Sequence, residues 1–233
     1  MCHPSRRLSL HSGARGDLLP ARSRSPAKRS LVITRQLRDR IQSSLIEHIG
    51  RHPAWYPVSP NVLTFGALVL ALPACWAIAE QRYLLAVLFI LLSGAVDLID
   101  GCVARGLDRT TKFGSYWDAM IDRYVDCLLY LGFVLDGYEL EAFLATTGTV
   151  LTSYAKPRTA MVVAIYAQDW PTIGERAERF ILLLAGLLLA VWIPVVAGWS
   201  TISLMLWATA LMTHVGAVQR IVMTRRLVEE DGP

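Results

Sequence analysis

Residues 97–122 read DLIDGCVARGLDRTTKFGSYWDAMID. Four carboxylates, Asp97, Asp100, Asp118 and Asp122, stand here at the ends of two long apolar runs. Asp97 and Asp100 are three residues apart and Asp118 and Asp122 four, so on helices each pair shares a face. Carboxylates at membrane depth are costly and rare, and they mark functional sites. Two such pairs brought together make a hard, oxygen-rich pocket of the kind that suits Mg²⁺ or Mn²⁺.

Working outward, six apolar segments lie at roughly 61–79, 83–102, 115–135, 141–166, 177–196 and 199–222. A span needs about 20 residues. Only 18% of the 233 residues are charged and 54% are hydrophobic, whereas soluble domains carry about 25% charged residues. The expected fold class is therefore an all-α integral membrane protein with six transmembrane helices. An interfacial amphipathic helix is expected ahead of them at 31–52. There Ile33, Leu37, Ile41, Leu45 and Ile49 recur every four residues, with Arg35, Arg38 and Arg40 between them, a pattern that lies flat in a headgroup layer. Pro53, Pro57 and Pro60 then break the chain. Residues 1–30 are rich in Arg, Ser and Pro and read as a disordered basic extension without the apolar stretch of a secretory signal. The six-helix domain is placed at 53–224 and a cytoplasmic tail at 225–233.

Topology follows from the Lys/Arg bias of the loops. Arg105, Arg109 and Lys112 share one loop, Arg176 and Arg179 a second, and Arg220, Arg225 and Arg226 the C-terminal end. The alternate loops, at 80–82, 136–141 and 197–200, hold only Arg82. Both chain ends and the first set of loops are thus expected in the cytoplasm, in the cell membrane. Asp97 falls about 14 residues into the second span, or ~21 Å at 1.5 Å per residue. Lys156 falls a similar distance into the fourth, which runs the same way, and Asp118 and Asp122 enter the third from the cytoplasm. These groups converge on the cytoplasmic third of the membrane, where a cavity open to the cytosol would keep them solvated. Cys2, Cys75, Cys102 and Cys127 form no CxxC pair and read as small apolar residues; His3, His11, His48, His52 and His214 lack zinc-ligand spacing.

The complete pattern is Asp97-x2-Asp100-Gly101-x2-Ala104-Arg105-x8-Gly114-x3-Asp118-x3-Asp122. At all eight fixed positions it resembles the signature of the CDP-alcohol phosphatidyltransferase family. The six-span layout, the amphipathic helix and Ser59-Pro60-Asn61 before the first span look like that family too; residues 33–222 fit and the first thirty do not. The resemblance implies a metal-dependent membrane enzyme of phospholipid biosynthesis. It implies two Mg²⁺ or Mn²⁺ ions held by Asp97, Asp100, Asp118 and Asp122, with Asp122 also the catalytic base. It implies a CDP-linked lipid donor held at Gly101, Ala104, Arg105 and Gly114, release of CMP, and a homodimer. Physical chemistry supports these roles. Small residues let cytidine approach the backbone, although they also permit close helix packing. Arg105 can donate a bidentate pair of hydrogen bonds to a diphosphate, although it also fits a positive-inside anchor. Asp126 lies outside the signature and reads as a structural partner of Arg123.

Further cations, Lys156, Arg158, Arg176 and Arg179, suit a second anion, most simply a phosphate on the acceptor. The segments Ser153-Tyr154-Ala155-Lys156-Pro157-Arg158 and Glu175-Arg176-Ala177-Glu178-Arg179 are similar to the phosphatidylinositol phosphate and archaetidylinositol phosphate synthase branch. The expected acceptor is inositol 1-phosphate, with glycerol phosphate as the alternative within the family. Arg176 and Arg179 would otherwise anchor the fifth span, paired with Glu175 and Glu178. A cation transporter would spread its acids through the membrane depth, and a non-enzymatic scaffold would be expected to lose motif residues. The bunched and complete acid set disfavours both. No nucleic-acid partner is expected.

Overall fold

The apolar runs close into helices whose ends are fixed by local chemistry. The computed structural model describes residues 42–163 and 172–230. The expected extension at 1–30, the first part of the amphipathic helix at 31–41, and residues 164–171 and 231–233 lie outside the described residues. Residues 42–51 are helical (α1) and a 3₁₀ turn, Pro53–Trp55, follows. The long helices are α2 (Pro60–Ala79), α3 (Tyr83–Gly106), α4 (Lys112–Leu135), α5 (Glu139–Ala160), α6 (Arg176–Trp192) and α7 (Thr201–Glu230). Pro60 opens α2 at a position where its missing N–H costs nothing.

Three successive helices end in the same motif. Beyond α4, Gly137 adopts φ +97°, its N–H donates to Val134 O (3.1 Å) and the Tyr138 N–H donates to Phe133 O (2.9 Å). This is a Schellman stop, and the left-handed residue is why glycine stands there. Gln81 after α2 and Asp108 after α3 play the same part, the Arg82 N–H donating to Ala77 O and the Arg109 N–H to Ala104 O (both 2.8 Å). These stops turn the chain sharply from α2 into α3, from α3 toward α4 and from α4 into α5.

The helices pack in pairs α2–α3, α3–α6, α6–α7, α7–α5, α5–α4 and α4–α2, which closes a ring. The core is built on small residues. Ala67, Ala71, Ala74 and Ala77 line the buried face of α2, and Phe133, Leu187 and Leu206 fill the interior opposite. Along the α5–α7 seam, a Cβ on Gly148 would strike Thr213, and Thr152 Oγ1 donates to Thr213 O (2.7 Å). Small-residue contacts with hydroxyl bonds across them are a packing mode suited to an apolar solvent.

By length and composition α2, α3 and α7 can each cross a membrane, with mean hydropathies of 2.2, 2.1 and 1.5. α4 and α5 are diluted by charged residues and threonines, and α6 has 17 residues. α6 stops earlier than the expected 196 because residues 193–200 form a hairpin. Its strands β1 (Val195–Val196) and β2 (Trp199–Ser200) pair antiparallel, Val195 opposite Ser200. Ala197 and Gly198 both have positive φ, as a tight two-residue hairpin turn demands. α7 continues to Glu230, so the segment expected as a tail from 225 is helical as far as it is described. The described end of the amphipathic helix does not lie free. Ile49 is buried against Cys102 and Val103 of α3, and a Cβ on Gly106 would sit 3.0 Å from Ile46 O.

Candidate active site

α3 delivers Asp97 and Asp100 from its last three turns, and α4 delivers Asp118 and Asp122 from its second and third. The loop between them is locked. Arg109 Nη1 donates to Tyr56 O (2.8 Å) and Val58 O (3.4 Å), tying the loop to the segment before α2. Arg109 therefore serves the loop itself. Thr111 caps α4, its Oγ1 accepting from the Gly114 N–H (2.9 Å).

Carboxylate oxygens of Asp97, Asp100 and Asp118 lie within 4.8 Å of one another. Asp100 is 4% exposed and its Oδ2 has no hydrogen-bond partner among the described residues. A buried carboxylate oxygen without a partner is expensive, and a hard divalent cation would satisfy it. The donor set thus fits Mg²⁺ or Mn²⁺. Asp122 stands outside this group of three. Its Oδ1 meets Arg176 Nη2 at 2.7 Å, and Arg176 Nη1 donates to Asp97 Oδ2 at 3.1 Å. One guanidinium from α6 therefore bridges a carboxylate of α3 and a carboxylate of α4.

The other motif residues keep the site open. A Cβ on Gly101 would lie 3.4 Å from the Arg105 guanidinium, and one on Gly114 would lie 3.0 Å from Thr111 Oγ1 and 3.4 Å from Asn61 Oδ1. Arg105 is exposed, and among the described residues its guanidinium makes a weak contact with Cys102 Sγ (3.9 Å). Ala104 is half-buried beside it.

The four cations expected at the acceptor are divided. Arg176 and Arg179 line a cavity of about 40 Å³ with Asp97, Asp126 and Ser93. Arg158 lines a separate groove of about 470 Å³ between α5 and α7, with Tyr154 and Arg225, and exposed Lys156 lines neither. The reason is helical geometry: two residues apart on a helix means about 200° of rotation, so Lys156 and Arg158 cannot share a face. Arg179 is 5% exposed, donating to Gly174 O (2.7 Å) and Asp126 Oδ2 (3.3 Å). Glu175 and Glu178 form a reciprocal capping box at the start of α6. Asp126 lies 3.7 Å from Arg123, the pairing expected from sequence, but also pairs with Arg179, which was not. Sequence reasoning also missed Arg220. It is buried on α7, donates to Thr172 Oγ1 (3.0 Å from Nε, 2.8 Å from Nη2) and to Thr152 O, and lies 3.9 Å from Glu175. Its only sequence signal was an arginine five residues ahead of the Arg225-Arg226 pair.

Comparison with known proteins bears on the family and the fold. Residues 57–219 match the CDP-alcohol phosphatidyltransferase family. An archaetidylinositol phosphate synthase of Pyrococcus horikoshii is 29% identical over 201 residues, covering 83% of this chain and 97% of that protein. A phosphatidylinositol phosphate synthase of Corynebacterium glutamicum is 30% identical over 190 residues, 77% of this chain and 83% of that one. The fold is shared with crystal structures of Mycobacterium tuberculosis phosphatidylinositol phosphate synthase. With CDP-DAG bound, that structure gives a TM-score of 0.65 at 20% identity, covering 77% of this chain and 92% of that one. With manganese and citrate it gives 0.66 at 20%, covering 77% and 88%. The chain belongs to the CDP-alcohol phosphatidyltransferase family and is a membrane transferase of phospholipid biosynthesis.

Proposed function

We propose that this enzyme transfers a phosphatidyl-type group, diacylglycerol or archaeol phosphate, from a CDP-linked lipid to a hydroxyl of inositol 1-phosphate and releases CMP. The observation that carries the choice of a phosphorylated acceptor is Arg176. It lies outside the eight-residue motif, yet its guanidinium reaches the carboxylates Asp97 and Asp122. The diphosphate already has Arg105 and the metals. A further cation at the reacting centre suits a second anion, and the names of the two relatives point the same way.

In this reading Asp97, Asp100 and Asp118, together with Asp122, hold two Mg²⁺ or Mn²⁺ ions. Such ions would neutralise the diphosphate oxygens and stabilise the oxygen that leaves with CMP. Asp122 accepts the proton from the acceptor hydroxyl as the new O–P bond forms and the P–O bond to CMP breaks. Arg105 binds the diphosphate, and Gly101, Ala104 and Gly114 leave room for the nucleotide. Arg176 orients the acceptor phosphate with Arg179 behind it. In the same reading the chain crosses the membrane six times, the site faces the cytoplasm and the working unit is a homodimer.

The test is CMP release by purified protein with Mg²⁺ and a CDP-linked lipid, with inositol 1-phosphate or glycerol 3-phosphate added in parallel. Release that requires inositol 1-phosphate is expected. Release only with glycerol 3-phosphate would move the acceptor and keep the chemistry, and release with an unphosphorylated polyol would remove the role given to Arg176.

A further inference from the structure

Two ion-pair rungs join α4 to α6. Asp122 meets Arg176 at 2.7 Å, and one turn along α4 Asp126 meets Arg179 at 3.3 Å. The spacings explain the ladder: Asp122 and Asp126 are i,i+4 on α4, and Arg176 and Arg179 are i,i+3 on α6, so each pair shares a face. Asp126, Arg176 and Arg179 line the small cavity together with Val125, Phe180 and Leu183. The two rungs differ in setting. Arg176 is 40% exposed and shared with Asp97, whereas Arg179 is 5% exposed. Arg179 also donates to Gly174 O, and Gly174 stands at φ +84° immediately before the capping box. The second rung thus grips both the first turn of α6 and the bend that leads into it.

We infer that Asp126, outside the family signature, is a positioning residue for the acceptor: through Arg179 it fixes the first turn of α6 and so holds the Arg176 guanidinium over the reacting centre. This rests on the proposed role of Arg176. The first rung cannot do this work. Asp122 and Arg176 each have a partner to take from the substrates, a hydroxyl proton for one and a phosphate for the other. A link that is dissolved in each catalytic cycle cannot also hold α6 in register. The buried second rung touches neither substrate and can stay formed while the first exchanges partners. Arg220, held by Thr172 and close to Glu175, steadies the same bend from α7.

The test compares the wild type with Asp126→Asn, Asp126→Glu and the double variant Asp126→Asn/Arg179→Met, which removes both charges of the buried rung if the single variant folds poorly and leaves Arg123 its 3.7 Å pairing with Asp122. The expected result is an acceptor KM raised about tenfold or more in Asp126→Asn and in the double variant, the scale of one lost charge-assisted contact. The KM for the CDP-linked lipid and the Mg²⁺ dependence stay within about twofold of wild type, and Asp126→Glu restores most of the acceptor affinity. Protection against thermal unfolding by inositol 1-phosphate alone is lost in the same variants and kept in Asp126→Glu. An unchanged acceptor KM in the double variant would overturn the inference, as would equal damage to both substrates without rescue by Glu. A wild-type enzyme that ignores every phosphorylated polyol would instead sink the acceptor reading, and this inference with it.

Discussion

Asp100 is the most buried of the four motif carboxylates, and its Oδ2 has no hydrogen-bond partner among the described residues. A charge in that position destabilises the metal-free fold and is offset when a cation binds. Replacing it with Asn therefore acts in opposite directions in the two states. In EDTA, Asp100→Asn is expected to melt at or above the wild-type temperature. With saturating Mn²⁺ the wild type rises, by the linkage that adds about 2.7 kcal/mol at a hundred times Kd, and the variant does not. Melting curves with and without Mn²⁺ check this, and an equal rise in both proteins would remove Asp100 from the metal set. Asp122 is tested by a different quantity. Asn keeps its shape but cannot take a proton, so Asp122→Asn is expected to lower CMP release by about 10²–10⁴-fold, the usual worth of a general base. A steady-state rate within tenfold of wild type would exclude that role.

At the scale of the helix, small residues decide how near two backbones come, and the sign of a glycine substitution depends on what faces it. Gly216 on α7 faces a carbonyl: a Cβ there would collide with Ile173 O, part of the bend before α6. Gly66 on α2 has only Val96 Cγ1, at 3.7 Å, opposite its would-be Cβ. Gly66→Ala should stabilise by up to about 1 kcal/mol through helix propensity, whereas Gly216→Ala should cost about 1–3 kcal/mol by overpacking. Gly216→Ala should also raise the acceptor KM, because the segment it displaces leads into Arg176. Thermal unfolding in detergent and acceptor kinetics check both, and stabilisation by Gly216→Ala would contradict the packing described. This contrast shows where the sequence could and could not be read. Apolar length marked all six helices, and the carboxylate spacing marked the faces of α3 and α4 that meet, because both signals are local. The partner of a lone arginine is not local. Arg220 counted only as one of the basic residues of the C-terminal end, yet it is buried on Thr172 and Thr152. Lys156 and Arg158 looked like one cluster, yet they lie on different sides of α5. The hairpin at 195–200 was hidden because Val-Val and Trp-Ser flank a turn that continues the hydropathy of the helices around it.

For the whole molecule, the proposal of six crossings carries a parity. An even number of crossings would put residues 42–59 on the side where α7 ends, and the arginines on α7 and in the α3–α4 loop would make that side cytoplasmic. α2, α3 and α7 qualify as spans by their own composition. α4, α5 and α6 do not, and they depend on the ring to cover their polar faces. Asp97, Asp118 and Asp122 are partly buried there and Arg176 pairs with two of them, so in the proposed six-span arrangement the ring would let weakly apolar helices cross a membrane with their charged groups paired. This makes a topological prediction that composition alone would not. If only the three strongly apolar helices crossed, the α3–α4 loop and the α4–α5 loop would lie on the same side, whereas six crossings place them on opposite sides. In a background with Cys2, Cys75, Cys102 and Cys127 replaced by Ala, a single cysteine at Thr110 should react with a membrane-impermeant maleimide only in inside-out vesicles. One at Gly137 should react only in right-side-out vesicles. Gly137 suits the probe because a side chain there meets no atom within 4 Å, although its positive φ will cost some stability. Labelling of both positions from the same side would mean that α4 does not cross, and the carboxylate pocket between α3 and α4 would then need a different relation to the bilayer.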